Sequence, residues 1–201
     1  MPRRAGPGLD RSAVIQAAEE LVDVIGVDQL TLSQLAEHLG IRTPSLYNHV
    51  AGLPGLRREL ALRCTRELLA RLQWATIGKT GEEAIIALGQ AFREYAREHP
   101  GRYACTHQPA DPSDHELQDV QQRVVDLVLV LLKPYGLSGD DALHVVRGLR
   151  SAIHGFISLE LMGGFGLPLD LNESFRRLLK TLTDGLQRSS ITHPKNQAQL
   201  D

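Results

Sequence analysis

The stretch Arg42 to His49 reads RTPSLYNH and concentrates short polar side chains. Thr43, Ser45, Tyr47, Asn48 and His49 each carry a neutral hydrogen-bonding group. Such groups reach phosphate oxygens and base edges without adding positive charge. Arg42 can pair with two acceptors of a guanine or clamp a phosphate. Leu46 and Val50 are four apart, so on a helix they share one face and turn inward. The polar residues are left on the other sides. A helix that only had to pack would not need them.

Two short helices must position that row. Thr31 and Gln34 form a T-x-x-Q capping box, which predicts a helix from Leu32. Leu30 before the cap and Leu35 inside the helix supply a hydrophobic staple. Gly40 ends this helix, with the left-handed backbone that such an end requires. Thr43 is the expected cap of the next helix, with Pro44 first inside it, where a missing N–H costs nothing. Helix 32–39, the Gly40-Ile41-Arg42 turn and helix 44–50 therefore read as a helix-turn-helix. A two-turn helix fits a major groove. Thr31 and the free N–H groups near Leu32 and Ser33 suit a phosphate.

Further helices must support this unit. Apolar spacing predicts one over 11–25, capped by Asp10 and stopped by Gly26. Another is expected over 54–72, with Leu56, Leu60, Leu68 and Leu72 inward. Its arginines, Arg57, Arg58, Arg63, Arg66 and Arg71, are expected outward. Helix 81–98 follows, then a loop with Pro100, Pro109 and Pro112, then helix 114–135. Ser138 caps a helix to about Met162, and Asn172 or Asp170 caps the last one, 172–187. No strand alternation of useful length occurs. The expected fold is all-α. An N-terminal three-helix head occupies 1–56, a helical bundle 57–188, and a disordered tail 189–201.

The 201 residues carry a net charge of −2, so nothing global marks a nucleic-acid binder, and that reading rests on local geometry. The apolar run Val124 to Leu132 is far short of the roughly 18 residues of a membrane span. Neither a secretory signal nor a disulfide framework is apparent, so a cytoplasmic protein without a membrane partner is expected.

Other constellations are weak. His144 and His154, ten apart on one helix, are ~15 Å apart along its axis and cannot share an ion. His99, His107 and His115 lie near a loop without supporting Cys or carboxylate spacing, so no metal is expected. Gly78-Lys79-Thr80 resembles the end of a phosphate loop, but Trp74 stands where its first glycine belongs. Cys105 near His107 lacks an orienting group. No catalytic constellation emerges. The expectation is a protein that is not an enzyme and uses no cofactor.

The run TLSQLAEHLGIRTPSLYNHV resembles the DNA-binding motif of TetR-type transcriptional regulators. Leu30, Thr31, Leu35, Ala36, Leu39, Gly40, Ile41, Leu46, Tyr47, His49 and Val50 carry the match. The segment from Arg150 to Leu186 resembles the C-terminal region of a TetR subgroup marked by a Trp-His-Gly motif. His154 and Gly155 are present, and Ile153 replaces the Trp. Leu53 stands where relatives commonly carry a phosphate-contacting Lys. Arg57 or Arg58 could take its place, or Arg3 and Arg4 could serve as a minor-groove arm.

The resemblance implies a homodimer that binds double-stranded DNA at a palindromic operator. The last two long helices of each subunit would form the interface, and a small-molecule effector would release a repressor. The apolar circumference of helix 138–162 supports such an interface independently. Gly148, Ala152 and Gly155 would allow another helix to approach closely. Candidate effector contacts are Phe92, Tyr95, Tyr103, His107, Arg147, Arg150 and His154. The alternative is a helical protein-interaction module with a vestigial head.

Overall fold

A computed structural model describes residues 10–192, with side chains to Arg188. Arg3, Arg4 and residues 193–201 of the expected tail lie outside the described residues. Among the described residues nine α-helices and no strand occur. They are α1 (Arg11–Ile25), α2 (Leu32–His38), α3 (Thr43–Leu46), α4 (Gly52–Thr76) and α5 (Gly81–Glu98). Then come α6 (Pro100–Cys105), α7 (His115–Leu132), α8 (Gly139–Leu161) and α9 (Leu171–Thr192). No helix of the described residues is long and apolar enough to cross a membrane.

The chain forms two compact units, and neither is continuous in sequence. The described residues up to Leu68 group with Glu98–Val120, and Leu69–Arg97 groups with those from Gln121 onward. The expected boundary after residue 56 thus falls inside α4.

The first unit is built on α1. Asp10 caps it by accepting from the Ala13 N–H at 2.8 Å, and Gly26 ends it at φ +82°. Its inner face, Val14, Ile15, Ala18 and Val22, joins Leu30, Leu35, Leu46, Leu56, Leu60, Cys64 and Cys105 in one core. The segment expected as a loop after residue 99 opens with α6 instead. Pro100 is tolerated in a first turn, and Gly101, Tyr103 and Cys105 are buried. At Gly101 a Cβ would lie 1.9 Å from the Val22 carbonyl oxygen, so only glycine lets α6 meet α1 this closely. Asp23 completes the junction. It accepts from the Arg102 backbone N–H at 2.9 Å, pairs with the Arg102 side chain at 3.0 Å, and meets His99 at 3.1 Å.

The second unit buries Ile85, Leu88 and Tyr95 of α5, Val146, Leu149, Ile153 and Ile157 of α8, and Phe175 and Leu179 of α9. A Cβ at Gly89 would lie 2.7 Å from Leu179, which marks where α9 crosses α5 closely. Arg93 is the buried polar centre. It forks onto Glu160 through Nε and Nη2 (2.7 and 2.6 Å) and donates from Nη1 to Asn172 at 3.0 Å. Phe156 and Phe175 lie beneath the same guanidinium. Asp170, not Asn172, caps α9, because it accepts from the Asn172 N–H while Asn172 serves Arg93. The backbone of α9 stays helical to Thr192, so the expected tail begins as helix. Ser138 sits at the cap position of α8 but makes no side-chain cap bond.

Candidate nucleic-acid interface

The capping box at α2 forms as the sequence predicts. The Gln34 N–H donates to Thr31 Oγ1 at 3.2 Å, and the Thr31 N–H donates to Gln34 Oε1 at 3.0 Å. At the other end Gly40 adopts φ +65°. Its N–H donates to Glu37 O and that of Ile41 to Ala36 O, the paired bonds of a Schellman ending. Ile41 packs on the core, which fixes the direction in which the chain leaves α2.

The second helix is shorter than expected. α3 covers Thr43–Leu46 only, and Arg42 rather than Thr43 takes the cap position, without a side-chain bond. Tyr47 to His49 continue as turns, with the His49 and Val50 N–H groups both donating to Leu46 O. α4 starts at Gly52, whose φ of +68° turns the chain. So short a helix has little stability of its own and is held by packing. Leu46 is fully buried and Val50 nearly so. Each such burial contributes roughly 1.5–3 kcal/mol.

The outward row follows from those two anchors. Tyr47 is 62% exposed, and Arg42, Pro44 and Asn48 are exposed. Thr43, Ser45 and His49 are half-buried at the edges of the same surface. On α2, Thr31 and Ser33 are exposed and Leu32 half-buried. Of the two arginines expected to stand in for a basic residue at Leu53, Arg57 makes one 3.4 Å bond to the Val27 carbonyl and Arg58 is engaged by carboxylates. Arg58 donates to Asp114 through Nε and Nη2, to Glu116 through Nη2 and to Glu59 through Nη1. Those carboxylates raise its pKa, and in return Arg58 holds Asp114 and Glu116 below their ordinary values. Arg66 adds a second bond to Glu116 at 2.8 Å. This network joins residues 50 to 58 apart in sequence, and no local spacing signals it. Leu53 itself packs on the head core.

The candidate effector residues divide between the units. Tyr103 and His107 belong to the first, meeting edge to face at 4.6 Å, with His107 Nδ1 2.9 Å from Tyr103 O. Phe92, Tyr95, Arg147, Arg150 and His154 belong to the second. Tyr95 is fully buried under the Arg71 guanidinium, 5.0 Å from the ring centre. Phe92 is half-buried, and Arg147 and Arg150 are exposed. Half-buried His154 has its pKa lowered, first by burial and then by Arg150, which favours the neutral ring. Gly148 and Gly155 have open space where a side chain would stand, and Leu143, Leu159 and Leu161 are exposed on the same helix. Among the described residues no group of three His, Cys, Asp or Glu side chains could hold a metal ion.

Comparison with known proteins gives a consistent result. Residues 85–182 match the family described as tetracyclin repressor-like, C-terminal domain. A helix-turn-helix-type transcriptional regulator of Mycobacterium tuberculosis is 34% identical over 186 residues, covering 92% of this chain and 84% of that protein. Another, from Bacillus subtilis, is 33% identical over 180 residues, covering 89% and 93%. Among solved structures, a Gln-to-Ala variant of TetR from Acinetobacter baumannii in complex with minocycline superposes with a TM-score of 0.68. That likeness covers 90% of this chain and 98% of the other at 22% identity, and it speaks for the fold.

Proposed function

Because the chain belongs to the TetR family of helix-turn-helix transcriptional regulators, and is a DNA-binding regulator and not an enzyme, we propose that it is a homodimeric repressor released from a palindromic operator by a small molecule. The supporting observation is the outward row along α3 and the turn after it: Tyr47 is 62% exposed while Leu46 before it is fully buried. In this reading Tyr47, Asn48, His49, Thr43, Ser45 and Arg42 meet base edges and phosphates, with Pro44 against the groove wall. Thr31, Leu32 and Ser33 lie along the backbone. With Leu53 in place of a basic residue and Arg58 held by carboxylates, few charges neutralise phosphate, so the salt dependence is shallow for such a protein.

The dimer forms through α8 and α9, where Gly148 and Gly155 leave room for a neighbouring backbone. Two heads then read half-sites about 34–36 Å apart. The effector pocket lies in the second unit, with Phe92, Tyr95 and His154 as its lining and Arg147 and Arg150 at its rim. Tyr103 and His107 pair with each other in the first unit and are left out. Differential affinity of about 1–3 kcal/mol between two states is enough for release.

A gel-shift experiment with the DNA flanking its own gene, at two salt concentrations, tests the reading. A two-fold footprint that weakens as salt rises is expected. Indifference to every upstream sequence would instead favour an interaction module.

A further inference from the structure

A cleft of about 670 Å³ lies wholly within the first unit, between the start of α4 and the α6–α7 connection. Arg57, Arg58, Pro54 and Ala61 form one side, and Pro109, Ser113, Asp114 and Leu117 the other. Its volume falls within the roughly 300–1,000 Å³ typical of small-molecule sites.

Arg57 sets this cleft apart. Of the arginines that α4 carries in this unit, Arg58 holds Asp114, Arg63 holds Glu19 and Arg66 holds Glu116. Arg57 holds no carboxylate among the described residues. Its Nη2 makes one long bond, 3.4 Å, to the Val27 carbonyl. Its Nε is enclosed and has no partner. A half-buried guanidinium without a counter-charge, one donor unmet, is costly and calls for an explanation. The neighbouring charges do not supply one. Asp114 is already forked by Arg58, and Asp111 accepts from Ser113 through both its N–H and its hydroxyl. Pro54, Ala61, Pro109 and Leu117 add apolar surface.

We propose that this cleft is a second ligand site, in the DNA-binding unit itself, for a small organic carboxylate with an apolar body. The carboxylate accepts from Arg57, and the body rests on Pro54, Ala61, Pro109 and Leu117. Occupancy competes with the Val27 carbonyl for Arg57. Val27 O also accepts from the Leu30 N–H in the turn that leads into α2. A ligand here therefore acts on the support of α2 directly. The site is separate from the effector pocket proposed above and does not depend on it.

The test uses the full chain without DNA, so its outcome is independent of whether the protein binds an operator. Benzoate is titrated while the Arg57 Nε–H resonance is followed by NMR, with benzamide as the neutral isostere and inorganic phosphate as the anion without an apolar body. The expected result is a saturable shift with benzoate at millimolar concentration, and little with the other two. Two variants localise it. Arg57→Gln removes the donor. Ser113→Phe leaves Arg57 in place and fills the mouth from an exposed position. Each should weaken benzoate binding at least tenfold, with chemical-shift dispersion retained as the check of folding. Unchanged benzoate affinity in folded Ser113→Phe would overturn the proposal. So would equal responses to benzoate and benzamide, or phosphate matching benzoate.

Discussion

Tyr47 and Arg93 show two ways in which one side chain can matter here, one facing out and one sealed in. Tyr47 adds no cover to the core, so Tyr47→Ala should leave the helical circular dichroism and thermal midpoint nearly unchanged. In a DNA titration the same variant should lose about 1–3 kcal/mol, or roughly tenfold to a hundredfold in affinity. A cooperative loss of helix on mutation would mean that the ring packs inside. Arg93 is the opposite case, with its side chain 9% exposed and Glu160's 12%. Its hydrogen bonds pull the Glu160 pKa below the ordinary 4.5. The folded value is depressed, so the pair's contribution is full above the unfolded pKa and fades as pH falls through the folded one. Glu160→Gln should therefore be less stable than the parent at pH 7, toward the low end of the about 3–5 kcal/mol for breaking a buried pair. Denaturant midpoints should converge only as pH falls below the ordinary 4.5 and through the depressed folded pKa, where the parent's own Glu160 protonates. A gap that persists at low pH would assign the loss to packing instead.

Gly40 belongs to the scale of elements, where most of the head was legible in advance. A capping box, a staple and a glycine stop are local devices, and each depends on residues within five of one another. That is why α2 and its turn emerge from sequence alone. Gly40→Val would force a β-branched residue to φ +65°. The left-handed backbone costs an L-residue about 1–2 kcal/mol, and branching adds to this. The variant should melt lower and bind DNA less well, with the two losses moving together. The shortness of α3 was not legible: after Leu46 the backbone tightens into i→i+3 bonds, Asn48 to Ser45 and His49 to Leu46, and no glycine or proline marks the change. Pro100 read as a loop signal, yet it opens α6, because proline marks a helix's first turn as readily as its absence. The carboxylates that engage Arg58 and Arg93 were invisible for another reason. They lie 56 and 67 residues away, and no periodicity spans such a gap.

At the scale of the whole molecule, we propose the open surface of α8 as the seat of a second copy. Leu143 is 41% exposed, and among the described residues nothing beyond the helix's own backbone lies within 4 Å of a Cβ placed at Gly148 or Gly155. Leu143→Glu should shift the sedimentation coefficient toward that of one chain, weaken operator binding and preserve the helical signal. An unchanged sedimentation profile would move the interface elsewhere.

The head's interrupted course along the chain has a consequence for its biosynthesis. A product ending at Thr76 would contain every residue of the outward row, yet lack the α6 segment that presses on Val22 and two of the acidic residues that engage Arg58, Asp114 and Glu116. Such a truncation should give a collapsed NMR spectrum in place of an independent miniature regulator. On the ribosome, too, the head's apolar core is complete only once Cys105 has emerged.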